Sequence, residues 1–140
     1  MFGRRFSNFF LILFLFFWFF SCSSKEQQAQ KHFKKGFEYH NQGSLDKAVE
    51  EYREALKLSP GFVEVYMNLG AIYVDKKDYD QAIQQFKKVV ELNYFNTKVH
   101  YNLGMVYVYL GDKEKAEVEL KILKSFGSSL ADNLEKKMAE

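Results

Sequence analysis

Among the side chains best suited to nucleophilic, acid–base or metal-binding work, the chain offers one cysteine, Cys22, and three histidines, His32, His40 and His100. A thiol becomes a working nucleophile or ligand where positive neighbours lower its pKa or further ligands stand close by. Cys22 has neither in sequence: it follows an apolar run and is flanked by Ser21, Ser23 and Ser24. That setting suits covalent processing of the thiol, not catalysis by it. His40 lies eight residues beyond His32, and no His, Cys or Asp accompanies either at the spacing of a helical zinc motif. Gly-rich phosphate loops and activated serine settings are absent too. Glu50 and Glu51, with Lys113, Glu114, Lys115 and Glu117, have the pattern of solvated helix faces. The expectation is a non-enzyme with no cofactor and no metal, in which His32 and His100 pack inside the fold.

The elements around Cys22 give its chemistry a context. The apolar run from Phe9 to Phe20 has twelve residues, about 18 Å as a helix against the ~30 Å of a bilayer core. It is short for a span, but with Arg4 and Arg5 before it and small residues after it, it fits a secretory signal over residues 1–21. The Ser21-Cys22 junction resembles the lipobox of bacterial lipoproteins, in which a small residue precedes a cysteine that is lipidated and becomes the new N-terminus. The resemblance implies a fatty-acyl (palmitate-type) anchor on Cys22 and a chain held at an envelope membrane facing the periplasm. Ser23 in place of an acidic residue points to the outer membrane. Two alternatives stay open: ordinary cleavage leaving a soluble periplasmic protein, and an uncleaved signal anchor with Arg4 and Arg5 on the cytoplasmic side.

The 140 residues allow one small domain. The net charge of +2 comes from Arg4 and Arg5; without the signal, basic and acidic residues balance at 18 each. A neutral mature chain lacks the cationic surplus that phosphate backbones require, which argues against nucleic acid as a partner. One cysteine excludes an internal disulfide, so the apolar core alone must hold the fold. Residues 22–28 read as a lipidated cysteine and a short polar tether, since "SSKEQQAQ" has no large apolar side chain.

From residue 29 onward the chain repeats itself. Gly36, Gly70 and Gly104 are spaced by 34 residues, and so are Tyr39, Tyr73 and Tyr107, then Ala48, Ala82 and Ala116. Leu69 and Leu103 fill a further column, as do Tyr52, Phe86 and Leu120. This period and these residues resemble the tetratricopeptide repeat, in copies over 29–62, 63–96 and 97–127. The resemblance implies an all-α solenoid of three helix hairpins, and residues 128–140 supply a capping helix with Leu130, Leu134 and Met138 on one stripe.

The columns make physical sense as hairpins. Tyr66, Leu69, Gly70 and Tyr73 form one helical stripe, and Ala82, Ile83, Phe86, Val89 and Val90 the next. Ser44, Asp78 and Asp112 stand as N-caps of the second helices, and Gly43 and Gly111 precede two of them, whereas Lys77 replaces the glycine in the middle repeat. By the resemblance, the first helix of each hairpin lines a groove for a peptide or helix of a partner protein. Its columns are Phe33, Phe37, His40 and Asn41, then Met67, Ala71, Val74 and Asp75, then Tyr101, Met105, Val108 and Tyr109. These residues predict an apolar, aromatic surface that binds a protein segment or, in a structural envelope protein, a second copy of the chain. The subclass that grips terminal carboxylates of chaperone tails uses Lys and Asn here. Only Asn68, Lys98 and Asn102 could contribute, and Phe33 and Phe37 stand where that clamp is needed.

Overall fold

A computed structural model describes residues 24–140; the expected signal segment and Cys22 lie outside the described residues. Every regular element among the described residues is helical, and no helix among them is long and apolar enough to cross a membrane. The hairpin-repeat class read from the columns is the class observed. The chain divides into two compact units, one ending at Pro60 and one running from Gly61 to Glu140.

In the first unit, α1 covers residues 24–41 and α2 covers Leu45–Leu58. The polar stretch expected as a tether is therefore already helical from residue 24, and Ala29 within it is fully buried. The reason is local: Lys25, Glu26, Gln27, Gln28 and Ala29 are good helix formers with no Gly or Pro among them, and Ala29 extends the buried stripe one turn further. The helices are antiparallel. His32 Nδ1 lies 2.6 Å from Glu51 Oε2, Phe33 and Tyr52 rings are 5.9 Å apart, and Lys47 Nζ sits over the Tyr39 ring. Gly36 admits the Tyr52 ring so closely that a Cβ would stand 2.6 Å from it.

The second unit holds α3 (Val63–Asp75), α4 (Tyr79–Leu92), α5 (Thr97–Tyr109), α6 (Lys113–Ser125) and α7 (Leu130–Ala139). Each hairpin turn is closed by the same device. The carbonyls of Tyr39, Tyr73, Tyr107 and Leu123 accept from the amides of Ser44, Asp78, Asp112 and Ser128 at 2.8–3.0 Å, across a left-handed residue just before the donor. That residue is Gly43, Gly111 or Gly127 in three turns and Lys77, with φ 58°, in the fourth. Lys77 thus keeps the glycine geometry at a steric cost. Asp78 and Asp112 cap as expected, accepting from Gln81 N and Lys115 N. Ser44 makes no side-chain cap bond, and the loop residue Asn96 caps α5 instead, accepting from Lys98 N and Val99 N.

Packing over the repeat glycines differs between hairpins. Above Gly70 the space belongs to the Phe86 ring, 2.3 Å from where a Cβ would be. Above Gly104 it belongs to Leu134 of α7, because Leu120 occupies the Phe86 column with a shorter side chain. Leu134 is fully buried with Leu123, Ala131 and Leu120 around it.

Candidate functional site

The described second unit brings six of the expected groove residues around one open cleft. Ala71, Val74 and Asp75 of α3 face Tyr101, Met105 and Tyr109 of α5, with Asn102, Val106 and Phe86 completing the lining; the cleft holds about 250 Å³. Its position follows from the hairpins. α3 buries Val65, Leu69, Gly70, Ile72 and Tyr73, leaving Ala71 and Val74 half-exposed on another side. α5 repeats this arrangement 34 residues later. Tyr79 stacks on Tyr109 with ring centroids 5.8 Å apart, fixing a ring that is otherwise 55% exposed. Asp75 and Asn102 add the polar groups to a mostly apolar wall. At this volume the cleft suits one or two side chains of a protein segment, since cofactor and drug-sized sites start near 300 Å³.

Met67 and Val108 do not line it. Val108 sits with Tyr101 and Met105 against the buried cluster of Leu120, Leu123, Ala131 and Leu134, so α7 covers part of what the sequence assigned to the groove. The hydrophobic stripe of α7 must be buried somewhere, and this face of α5 is where it lands. Tyr101 and Met105 therefore serve both the cleft and the core. In the first unit Phe33 is half-buried against the Tyr52 ring, whereas Phe37 is 47% exposed; His40 is half-buried and Asn41 exposed. Phe86 was legible as a repeat column and Asn102 only as a possible clamp residue, and the Tyr79–Tyr109 stack had no signal in the spacing.

His32 and His100 have carboxylate partners, which the expectation of packing inside the fold did not include. His100 is 1% exposed; its Nε2–H donates to the Tyr94 carbonyl at 2.7 Å, since a carbonyl can only accept. Nδ1 is 2.7 Å from Glu119 Oε2, a distance that needs one proton held between them. Burial pushes the Glu119 carboxyl above its ordinary 4.5, and the hydrogen bond from His100 opposes that rise. His32 and Glu51 repeat the pair 68 residues earlier in a more exposed setting; in the middle repeat the same columns hold Tyr66 and Gln85. With both ring nitrogens engaged and the ring sealed, His100 ties α5 to α6 and to the loop before α5; it offers no free nitrogen to a substrate. Among the described residues no three His, Cys, Asp or Glu side chains gather as metal ligands. Tyr52, buried in the column that holds Phe86 and Leu120, keeps a hydroxyl with no partner, and burial pushes its phenol up to about 12.

Comparison with known proteins gives this geometry a family context. The family description "TPR repeat" matches residues 36–77, and "Tetratricopeptide repeat" matches 63–93 and again 97–121. No curated protein sequence matches the chain. Among solved structures, the first TPR of Spaghetti (RPAP3) bound to the HSP90 peptide SRMEEVD superposes with a TM-score of 0.73 at 23% identity, covering 81% of this chain and 92% of that one. The N-terminal domain of stress-induced protein-1 (STI-1) from C. elegans gives 0.73 at 21% identity, covering 81% and 96%. A structure titled MamA AMB-1 is 30% identical with a TM-score of 0.64, covering 70% of this chain and 54% of that one.

Proposed function

The chain belongs to the tetratricopeptide repeat family, and from that premise we propose that it is a lipid-anchored adaptor of a bacterial envelope, recruiting a partner protein without transforming it. Cys22 carries the anchor, and the α3–α5 cleft takes apolar side chains from an extended or helical segment of the partner. The observation that carries this is the cleft itself: apolar walls from Ala71, Val74, Met105 and Tyr109, with Asp75 and Asn102 to orient a backbone. Aromatic and methionine side chains give large contact area at low entropic cost, the usual makeup of an interaction site. The solved relative holding an HSP90 peptide supports a peptide ligand in general. The ligand differs from that acidic tail, because Asn68 spends its amide on the Glu64 carbonyl of its own helix and Phe33 and Phe37 occupy the clamp columns.

The test uses Ala71→Glu with Tyr109→Glu, both at cleft positions that are not fully buried. The full chain is cross-linked in envelope membranes and its captured proteins are identified by mass spectrometry. Loss of a specific partner with unchanged thermal stability is the expected result; an unchanged set of captured proteins overturns the cleft. In parallel, Cys22→Ser releases the chain into a salt wash and abolishes the acyl mass on the mature N-terminus. Equal retention of both forms removes lipidation from the proposal.

A further inference from the structure

The ring of His100 stands between two acceptors and is closed off from water. Its Nε2–H donates to the Tyr94 carbonyl, in the loop between α4 and α5, at 2.7 Å. Its Nδ1 meets Glu119 Oε2 of α6, also at 2.7 Å. The rings of Tyr94 and Phe126 flank it, with centroids 5.3 and 5.9 Å away. This arrangement requires two protons. A carbonyl only accepts, so Nε2 must carry one, and a ring nitrogen in contact with a carboxyl oxygen needs a second between them. A neutral imidazole beside an ionised carboxylate has a single proton for the two contacts.

We propose that His100, Glu119 and the Tyr94 carbonyl form a proton-held latch, which clasps the α4–α5 loop to α5 and α6 and opens when rising pH removes the shared proton. The latch depends on neither the cleft nor the anchor. When the shared proton passes to solvent, lone pairs face each other at one contact whichever tautomer the ring adopts. Nδ1 opposes Glu119 if Nε2 keeps its hydrogen, and Nε2 opposes the Tyr94 carbonyl if Nδ1 takes it. Water does not repair either contact in a sealed site, and a buried polar group without a partner is costly. The loop contact is the weaker one, because a carboxylate holds a hydrogen more strongly than a neutral carbonyl does. The remaining ring proton therefore goes to Nδ1, and Tyr94 is let go. Acid leaves the latch closed, since a protonated carboxyl still has an oxygen lone pair to accept from Nδ1–H.

The surroundings bear on the pair from each neighbouring element. Burial pushes the Glu119 carboxyl up, which retains the shared proton, while the bond from His100 and the charge of Lys87 on α4 oppose that rise. Tyr107 of α5 lies within electrostatic reach of Glu119, and Lys115 of α6 is paired with Asp112. α7 packs on α5 through Tyr101, Met105 and Val108, a different face from that of His100. The repeat supplies two comparisons. His32 and Glu51 make the same contact with side chains 32% and 20% exposed, so water can satisfy a nitrogen that loses its proton. In the middle repeat Tyr66 and Gln85 hold these columns, a pair with no proton to exchange near neutral pH. The latched loop carries Tyr94 and Phe95, both exposed, whose rings lie 5.8 and 5.5 Å from that of Phe126. Opening frees these rings from a fixed arrangement.

The experiment is nuclear magnetic resonance of the isotopically labelled full chain in detergent, from about pH 5 to about pH 9, which brackets ordinary imidazole titration. Ring nitrogen signals report the protons of His100. Exchange protection of the Asn96 amide, bonded to the Asn93 carbonyl, reports the loop, and the Asp78 amide, bonded to the Tyr73 carbonyl, is the reference within the same unit. Protection is normalised to the unstructured rate at each pH. On raising the pH, His100 Nε2 is expected to lose its hydrogen in one step, with Asn96 protection falling about tenfold at that step and Asp78 unchanged. In Glu119→Gln the new amide donates to a neutral Nδ1 and its oxygen accepts from a protonated one, so Asn96 protection stays level across the range. A ring that keeps Nε2–H throughout, or a ring step with Asn96 unmoved, overturns the latch. So does an Asn96 step that persists in Glu119→Gln, an equal loss at Asp78, or a loop that loosens in acid instead.

Discussion

Gly70→Ala is the sharpest probe of the hairpin packing. A Cβ there would stand 2.3, 2.6 and 2.7 Å from three atoms of the Phe86 ring, where ordinary contact begins near 3.4 Å. Phe86 is 1% exposed and cannot swing into solvent, so the overlap of about 1 Å must be relieved by moving α3 from α4. Such overpacking costs about 1–3 kcal/mol, and the better helix propensity of Ala returns about 1 kcal/mol, leaving a net loss of up to about 2 kcal/mol. With a urea dependence of about 2 kcal/mol per molar, the unfolding midpoint read by circular dichroism falls by up to about 1 M. The partner change Phe86→Leu copies the natural pairing at Leu120 and costs about 1 kcal/mol alone through lost volume. Combined with Gly70→Ala it relieves the clash, so the double change is less destabilised than the sum by about 1 kcal/mol. A stabilising Gly70→Ala, or strict additivity in the pair, refutes the close approach of ring and glycine.

Three further outcomes are expected. Tyr52→Phe removes a buried hydroxyl without a partner and raises stability by about 1 kcal/mol; a loss seen in thermal melts means the hydroxyl is bonded. Lys77→Gly relieves the left-handed backbone at φ 58°, worth about 1–2 kcal/mol less the extra freedom of glycine when unfolded, a net melting-point gain of about 3 °C. For Glu119→Gln the sign follows from a folded pKa raised above 4.5 by burial. The carboxyl's contribution is complete below about 4.5 and is lost as pH rises through the folded value, so the variant gains on the wild type as pH increases from 4 towards 7. A stability difference that does not change with pH refutes this.

The period of 34 made the hairpins legible because Gly70 and Phe86 must recur together for two helices to nest, and such pairs leave marks at fixed intervals. Caps were half legible: Asp78 and Asp112 act as their chemistry suggests, yet Ser44 does not and Asn96 does. Packing of His32 and His100 inside the fold was expected without a partner for either, although His32 with Glu51 and His100 with Glu119 share a spacing of 19 that could have revealed the pairs. The helical state of residues 24–28 was hidden by their polarity, since Ala29 alone marks the buried side. The contact of Val108 with the α7 cluster was not legible, because the groove columns describe a repeat hairpin and carry no position for a helix packed on it. The ring contact of Phe95 with Phe126 joins residues thirty-one apart, beyond any local pattern.

The fit of Leu134 over Gly104 makes the last ten residues a wedge whose removal is felt upstream. Clipping by a carboxypeptidase, or a fusion joined too tightly at Glu140, would expose Leu120 and Leu123 to water and loosen Tyr101 and Met105, which the cleft also uses. Unravelling would therefore start at α7 and reach the cleft before the remaining hairpins come apart.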